Sequence, residues 1–382
     1  LLVFFVGLVA AITLLMIMLF RDTKGPEVVI TPAKFEVSKK TRFSLRASDP
    51  KSGIDKVVVE AIGGPQRKVL AQIELPRPMD TFQKEFTLSG VDFSDGPFEL
   101  RAKVTDGSWA KFGKGNATYI SQQHDLDTTV PVASIVTRRP YARQGGSVVI
   151  GFTVSEEPVR VGVEVGDLFF PAHLQPDGRY LCFFAFPFNL EPDDYQPVLT
   201  ARDRADNEVR LNVPINPMPR EFRTDVLTVS DGFLSGVLPQ FQAQLDPGRS
   251  PVERFLTVNR ELRAKARRRL AEISRQTTDT MLWNGAFVRM RGKTMAQFAD
   301  YRSYQYNGRK IDEQIHMGVD IASIKNAEVP AANSGRVVFA GFISIYGNVI
   351  IIDHGAGLHS LYGHLSRMDV SAGQAVEKGQ TI

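Results

Sequence analysis

The chain of 382 residues has a single cysteine, Cys182, so it can form no internal disulfide and must rely on packing for its stability. Cys182 sits in the apolar run Leu181 to Phe186, which reads as a buried and inert position. Low-complexity tracts are absent, and 43% of the residues are hydrophobic, enough for roughly two to four domains with cores of their own. Neither sign of charge dominates. A net charge of +4 and a pI near 9.0 suit an anionic polymer or lipid surface without singling one out, and nothing points to nucleic acid. Histidine is scarce, and four of the six lie between Ile315 and Leu365. Long apolar runs are missing except at the start. Leu1 to Phe20 carries no charge, and as a helix its length would match a hydrocarbon core of roughly 30 Å. It runs straight into Arg21 and Asp22 with no small-residue cleavage site. The expectation is an uncleaved, single-pass transmembrane anchor in the cytoplasmic (inner) membrane, with the body in the periplasm or cell envelope.

A repeat follows. Asp22-Thr23-Lys24-Gly25-Pro26 recurs as Asp127-Thr128-Thr129-Val130-Pro131, and Leu100-Arg101-Ala102 before Asp106-Gly107 recurs as Leu199-Thr200-Ala201 before Asp206-Asn207. The offsets are 105 and 99 residues (127 less 22, 199 less 100), close to the roughly 100 residues of an immunoglobulin-like sandwich. Alternation at Phe98, Leu100, Ala102 and Val104, and at Val161, Val163 and Val165, reads as half-buried strands. Two Ig-like β-sandwiches are therefore expected, over residues 21–124 and 125–218, acting as spacers more than as binding modules.

After the Pro-rich seam Pro214 to Pro219 the pattern changes. A linker is expected over 219–282. Within it, from Val252 to Ser274, Phe255, Leu262, Ala266, Leu270 and Ile273 recur at helical spacing. The other face is basic, with Arg260, Arg263, Lys265, Arg267, Arg268, Arg269 and Arg275, and reads as a solvated face. Ser250-Pro251-Val252-Glu253 reads as the helix start, with serine as N-cap. From residue 283 to 382 the chain reads as a β-sheet domain.

That last region carries the chemistry. In His316-Met317-Gly318-Val319-Asp320-Ile321, a strand period would put His316, Gly318 and Asp320 on one face and Met317, Val319 and Ile321 in the core. An imidazole nitrogen and a carboxylate oxygen on one face are normal zinc ligands, but a catalytic zinc takes three. His354, His359 and His364 are the candidates for the third. They lie in a hairpin read as a strand from Val349 to Ile352, a turn from Asp353 to Gly357 and a return strand through Tyr362. Alternation puts His359 and His364 on opposite faces. His354 reads as a hairpin-fixing residue and His359 as exposed, while His124 and His173 have no second ligand at useful spacing.

Four ordered blocks in this region, namely His316 to Asp320, Val329 to Val338, Tyr346-Gly347-Asn348 with Asp353-His354-Gly355, and Tyr362-Gly363-His364-Leu365-Ser366, together resemble the lysostaphin/LytM family of zinc metallopeptidases. The resemblance covers about the last quarter of the chain. It implies Zn2+ held by His316 and Asp320, with His364 serving the attacking water or the developing oxyanion. The segment before the first block lines the substrate groove in that family, which makes Arg302 and Tyr306 candidate substrate contacts, arginine for a carboxylate. The family's third ligand and second catalytic histidine come from a later H-x-H. That motif does not occur before Ile382, and the chain does not begin with Met, so both ends are read as clipped and the site as incomplete.

The resemblance thus implies a membrane-anchored endopeptidase that hydrolyses peptide stems or cross-links of peptidoglycan. Two alternatives stand beside it. One is a non-catalytic LytM-type activator of a wall amidase, which would make a wall enzyme its partner. The other is a periplasmic adaptor, suggested because the glycine-punctuated run from Val370 to Gln380 resembles a lipoyl-type barrel. The expected fold class is mainly β: a transmembrane helix, two tandem Ig-like sandwiches, a helical linker and a LytM-type sheet domain.

Overall fold

The computed structural model describes residues 22–382. The expected membrane-spanning helix at Leu1 to Phe20 lies outside them, and among the described residues no helix is long and apolar enough to cross a membrane. The expected fold class and the single-pass inner-membrane placement are corrected accordingly. The described chain is mainly β and supplies no spanning helix.

The described chain divides into two compact units, residues 22–131 with 202–208, and residues 132–201 with 209–382. In the first, a three-stranded sheet (Glu27–Thr31, Phe43–Ser48 and Thr81–Phe86) shares a core with a five-stranded one. The five-stranded sheet is centred on Gly96–Asp106, between Ala117–Leu126 and Ile54–Gly63. Alternate residues of these strands, among them Leu45, Val57, Val59, Leu100 and Val104, are fully buried, which is what the two-residue period requires. His124 is buried beside the rings of Phe43 and Phe98, and its Nδ1 lies 2.8 Å from the Lys34 carbonyl oxygen. This is a structural position. Asp22, Asp49 and Asp106 form a buried trio whose oxygens accept from Ser52, Ser108, Asn116 and backbone N–H groups.

The second unit begins with two four-stranded sheets. One is built on Ser147–Val154 and Tyr180–Ala185, the other on Arg160–Val165 and Val198–Arg202. Phe152, Val163, Cys182, Phe184 and Leu199 fill the space between. Burial pushes the Cys182 thiol up to about 12, so it stays protonated and inert.

The C-terminal part of this unit holds a three-stranded sheet in which Tyr301–Tyr306 lies between Thr224–Thr228 and Arg309–Ile315. Residues that read as linker thus supply an edge strand. The helical segment begins at Pro251 behind a capping box, in which the Ser250 hydroxyl accepts from the Glu253 N–H and Glu253 accepts from the Ser250 N–H. It passes through a π-helical turn at Val258–Leu262 and ends at Ile273. A four-stranded sheet follows in the order His359–Leu365, Asn348–Asp353, Gly335–Phe342, Ala375–Val376. Its strand Asn348–Asp353 is buried on both faces. Ile350 and Ile352 pack with Ala331 and Val337, while Val349 and Ile351 pack with Ala266 and Ile273 of the helix. A β-branched run with no polar alternation reflects this two-sided burial.

A strap from Gln276 to Leu282 ties the hairpin turn to the preceding sandwich. Asp353, 1% exposed, accepts from the Thr277 hydroxyl (2.8 Å), the Thr278 N–H (2.7 Å) and the Gly355 N–H (2.9 Å). Gln175 bonds the strap at Asp279 and Met281, and His173 meets the Asp279 carboxylate at 3.0 Å. Gly355 is irreplaceable here: its φ is +85°, and a Cβ would lie 2.0 Å from the Thr280 oxygen. His354 is fully buried, with Nδ1 2.8 Å from the Ser334 carbonyl and Nε2 2.7 Å from the Ser360 hydroxyl, and so fixes the hairpin. His359 differs from expectation. Its side chain is only 9% exposed, because the strap covers it and its Nε2 lies 2.9 Å from the Gln276 carbonyl oxygen.

These contacts make two outcomes testable. Asp353→Ala strips a buried acceptor from three donors and should destabilise this unit by about 3 kcal/mol, read as a lower urea midpoint in Trp283 fluorescence; an unmoved midpoint would show the strap to be dispensable. Burial also holds the His354 pKa below 6.5, so the unfolded chain takes up its proton first as the pH falls. The stability contribution is complete above 6.5 and drains away below it, and His354→Gln should flatten the dependence of the urea midpoint between about pH 7.5 and 5.5.

Candidate metal centre

The site forms where the chain changes sheets. The strand Arg309–Ile315 ends at Ile315, residues 316 to 319 bend, and Asp320–Ala322 pairs instead with Lys293–Ala296. The uninterrupted strand expected from His316 to Ile321 is not formed. Met317 and Val319 are 45% and 49% exposed rather than core residues. His316 and Asp320 nevertheless converge, with Nε2 and Oδ1 3.2 Å apart. Two ligand atoms bound about 2.0–2.1 Å from a tetrahedral zinc would be about 3.3 Å apart, so the spacing suits a shared ion.

The ring orientation suits it as well. His316 Nδ1 lies 2.9 Å from the Gln297 carbonyl oxygen, which can only accept, so Nδ1 donates there and Nε2, facing Asp320, is the nitrogen that a metal would take. The loop holding that carbonyl is pinned to the same residue: the Ala299 N–H donates to the His316 oxygen (2.7 Å) and the His316 N–H to the Asp300 oxygen (3.0 Å). Asp320 has a second partner in Arg302, whose Nη2 is 3.2 Å from Oδ2. The structure thus places Arg302 on the Asp320 carboxylate. Tyr306 lies elsewhere, donating its hydroxyl to Asp231 (2.8 Å) and packing beside the helical cluster of Leu234 and Phe255.

His364 lines the same cavity as His316 and Asp320, a groove of about 1200 Å³. It is exposed and sits at a φ of +57°, in a bulge where Asn348 pairs with Leu365 but Ile350 with Tyr362. The extra residue resets the alternation on which the opposite facing of His359 and His364 rested. Gly347, which precedes the strand opposite it, has a φ of +66° and a ψ of −143°, a conformation that favours glycine. Among the described residues no third histidine, cysteine or carboxylate offers a ligand atom within reach of the His316 and Asp320 pair. The pair fits zinc as two ligands of a set.

Three contributors are not visible in the sequence pattern. Gln297 acts through its backbone carbonyl, which side-chain chemistry cannot signal. Arg263 and Arg267 sit on the face read as solvated, yet both line the cavity. Their spacing of one helical turn was the available clue.

Residues 314–382 match the family model described as Peptidase family M23. The chain is similar to the murein hydrolase activator EnvC of Escherichia coli, 35% identical over 97 residues that make up 25% of this chain and 21% of the relative. It is also similar to the lipoprotein NlpD/LppB homolog of Pseudomonas aeruginosa, 42% identical over 69 residues, 18% of this chain and 23% of the relative. The chain thus spans about a fifth of the length of these curated relatives. A solved putative peptidase M23 from Pseudomonas aeruginosa aligns over 64% of this chain and 82% of its own, with a TM-score of 0.38 and 18% identity. The relatives support neither a transmembrane anchor nor immunoglobulin-like repeats, and one is itself named a lipoprotein.

Removing the Arg302 guanidinium leaves Asp320 free to turn, so Arg302→Ala should weaken zinc binding about 10- to 100-fold, whereas His316→Ala should abolish it. Competition against a chromophoric chelator measures both. Unchanged affinity in Arg302→Ala would mean that the ion pair gives way when metal enters.

Proposed function

We propose that the C-terminal part of this chain is a zinc-dependent peptidase domain that hydrolyses peptide stems or cross-links of peptidoglycan. The observation that carries the reading is the His316 and Asp320 pair, with its 3.2 Å spacing and its ring turned by the Gln297 carbonyl so that Nε2 faces the carboxylate. Zinc bound there would polarise the scissile carbonyl and lower the pKa of the attacking water. Gln297 keeps the His316 ring turned so that Nε2 faces the ion position, and Arg302 keeps the Asp320 carboxylate turned toward it. His364, on the wall of the same groove, takes a proton from the water or donates to the oxygen on which charge develops.

A second reading is favoured by the name of one of these relatives, the murein hydrolase activator EnvC. In it the groove domain binds a wall amidase and stimulates it, cutting nothing itself. The comparisons favour this reading, whereas the ligand geometry favours the peptidase.

One experiment separates them. The protein, including any further coding sequence of its gene, is incubated with purified peptidoglycan, with zinc and with chelator. The peptidase reading expects release of muropeptides that chelator stops. His316→Ala and Asp320→Ala should lose zinc and turnover together, while His364→Ala keeps zinc and loses about 10²- to 10⁴-fold in rate. No hydrolysis by the zinc-loaded protein, together with faster turnover of an added wall amidase, would establish the activator instead.

A further inference from the structure

The cavity beside the metal pair carries unneutralised positive charge. Arg367 is paired with Asp369 at 2.6 and 2.8 Å, and Arg302 with Asp320. Arg263 and Arg267, one turn apart on the helix that closes one side of the groove, have no carboxylate partner among the described residues. Arg267 Nη2 donates to the Ile315 carbonyl at 3.3 Å, one residue from His316, which fixes this charge next to the metal pair.

Arg263 is held from behind. Asn259, 3% exposed, accepts from Arg263 Nη2 with its side-chain oxygen at 2.8 Å and from Nε with its backbone oxygen at 3.2 Å, and it donates its amide to Asp312 at 2.7 Å. The π-helical turn at Val258–Leu262 includes Asn259 and leads directly into Arg263. Such wide turns recur at functional sites. Burial, together with the nearby charges of Arg267 and Arg302, pushes the Arg263 pKa down from its ordinary value, so the folded chain holds this cation against an opposing field. The remaining acid on the cavity wall, Glu328, forms no ion pair with either arginine.

We propose that Arg263 and Arg267 form a carboxylate subsite, which selects peptides that carry a free carboxylate close to the bond or segment seated at His316 and Asp320. A guanidinium fork fixed by hydrogen bonds on one edge presents its remaining N–H groups in the geometry that carboxylates match. The subsite lies outside the residues matched by the family model, on the helix Arg263–Ile273. It rests on the reading that the groove receives a peptide, but not on that peptide being cut.

The test is equilibrium binding to the full chain of three probes: the tetrapeptide alanyl-glutamyl-lysyl-alanine, its C-terminal amide, and its glutamine analogue. The unaltered protein should bind the parent peptide about tenfold or more tighter than one of the two neutralised forms. Which form loses affinity identifies the carboxylate as C-terminal or side-chain. Arg263→Gln with Arg267→Gln should erase the preference while leaving the circular dichroism spectrum unchanged, and Arg263→Lys should retain only part of it. Should the double variant fail to fold, Arg267→Gln alone, on the exposed part of the helix, reads the same loss in smaller measure. Equal binding of all three probes by the unaltered protein, or a preference that survives in the folded variants, would overturn the subsite. Selective binding without hydrolysis would keep the subsite and remove the peptidase.

Discussion

The arrangement of the groove depends on one break in a strand. At Ile315 the chain leaves the sheet that contains Tyr301–Tyr306, and at Asp320 it joins a different pairing partner. Had it continued as a single strand, His316 and Asp320 would have lain on one face four residues apart, about 13 Å along the chain at strand rise. The bend folds that distance back to 3.2 Å between their ligand atoms. The loop Gln297 to Asp300 holds the bend from one side, giving a carbonyl to the histidine ring and backbone hydrogen bonds to its peptide group. Arg302 holds it from the other through the carboxylate.

The helix from Pro251 to Ile273 has two tasks with opposite chemical demands. Ala266 and Ile273 bury apolar surface against Val349 and Ile351, covering one face of the strand that leads into the hairpin. Arg263 and Arg267, on the same helix, face the groove. All four of these helix residues lie in Arg263–Ile273, beyond the π-turn, which sets the rotation of that whole stretch relative to Pro251–Thr257. Buried Asn259 then bonds both Asp312 of the neighbouring strand and Arg263 of its own helix, so sheet, helix and groove wall share one polar anchor.

Much of this was legible in the residues. The period-two alternation of Leu100, Ala102 and Val104 marked the β-rich N-terminal region, the Ser250 to Glu253 box marked the helix start, and the first of the four ordered blocks held the two side chains, His316 and Asp320, that converge in the structure. Local patterns carry these features because each depends on near neighbours in sequence: a cap needs a residue three positions on, a strand face every second residue. The expected membrane anchor rested on composition alone, and residues 22–382 contain no helix that could take its place.

What the sequence by itself determined is therefore the inventory: which residues carry imidazole and carboxylate groups near one another in the chain, which segment is a helix, and which strands have a core face. The tertiary structure decided how that inventory is used. Met317 and Val319 became exposed because the chain changed sheets, and His364 reached the groove through a bulge that alternation cannot foresee. His359 was covered by a strap from 83 residues earlier, and Arg263 was turned from a solvated face into a groove wall. Each of these outcomes depends on a partner far away in sequence, and a one-dimensional pattern holds no record of which distant backbone carbonyl or side chain will arrive beside a given residue.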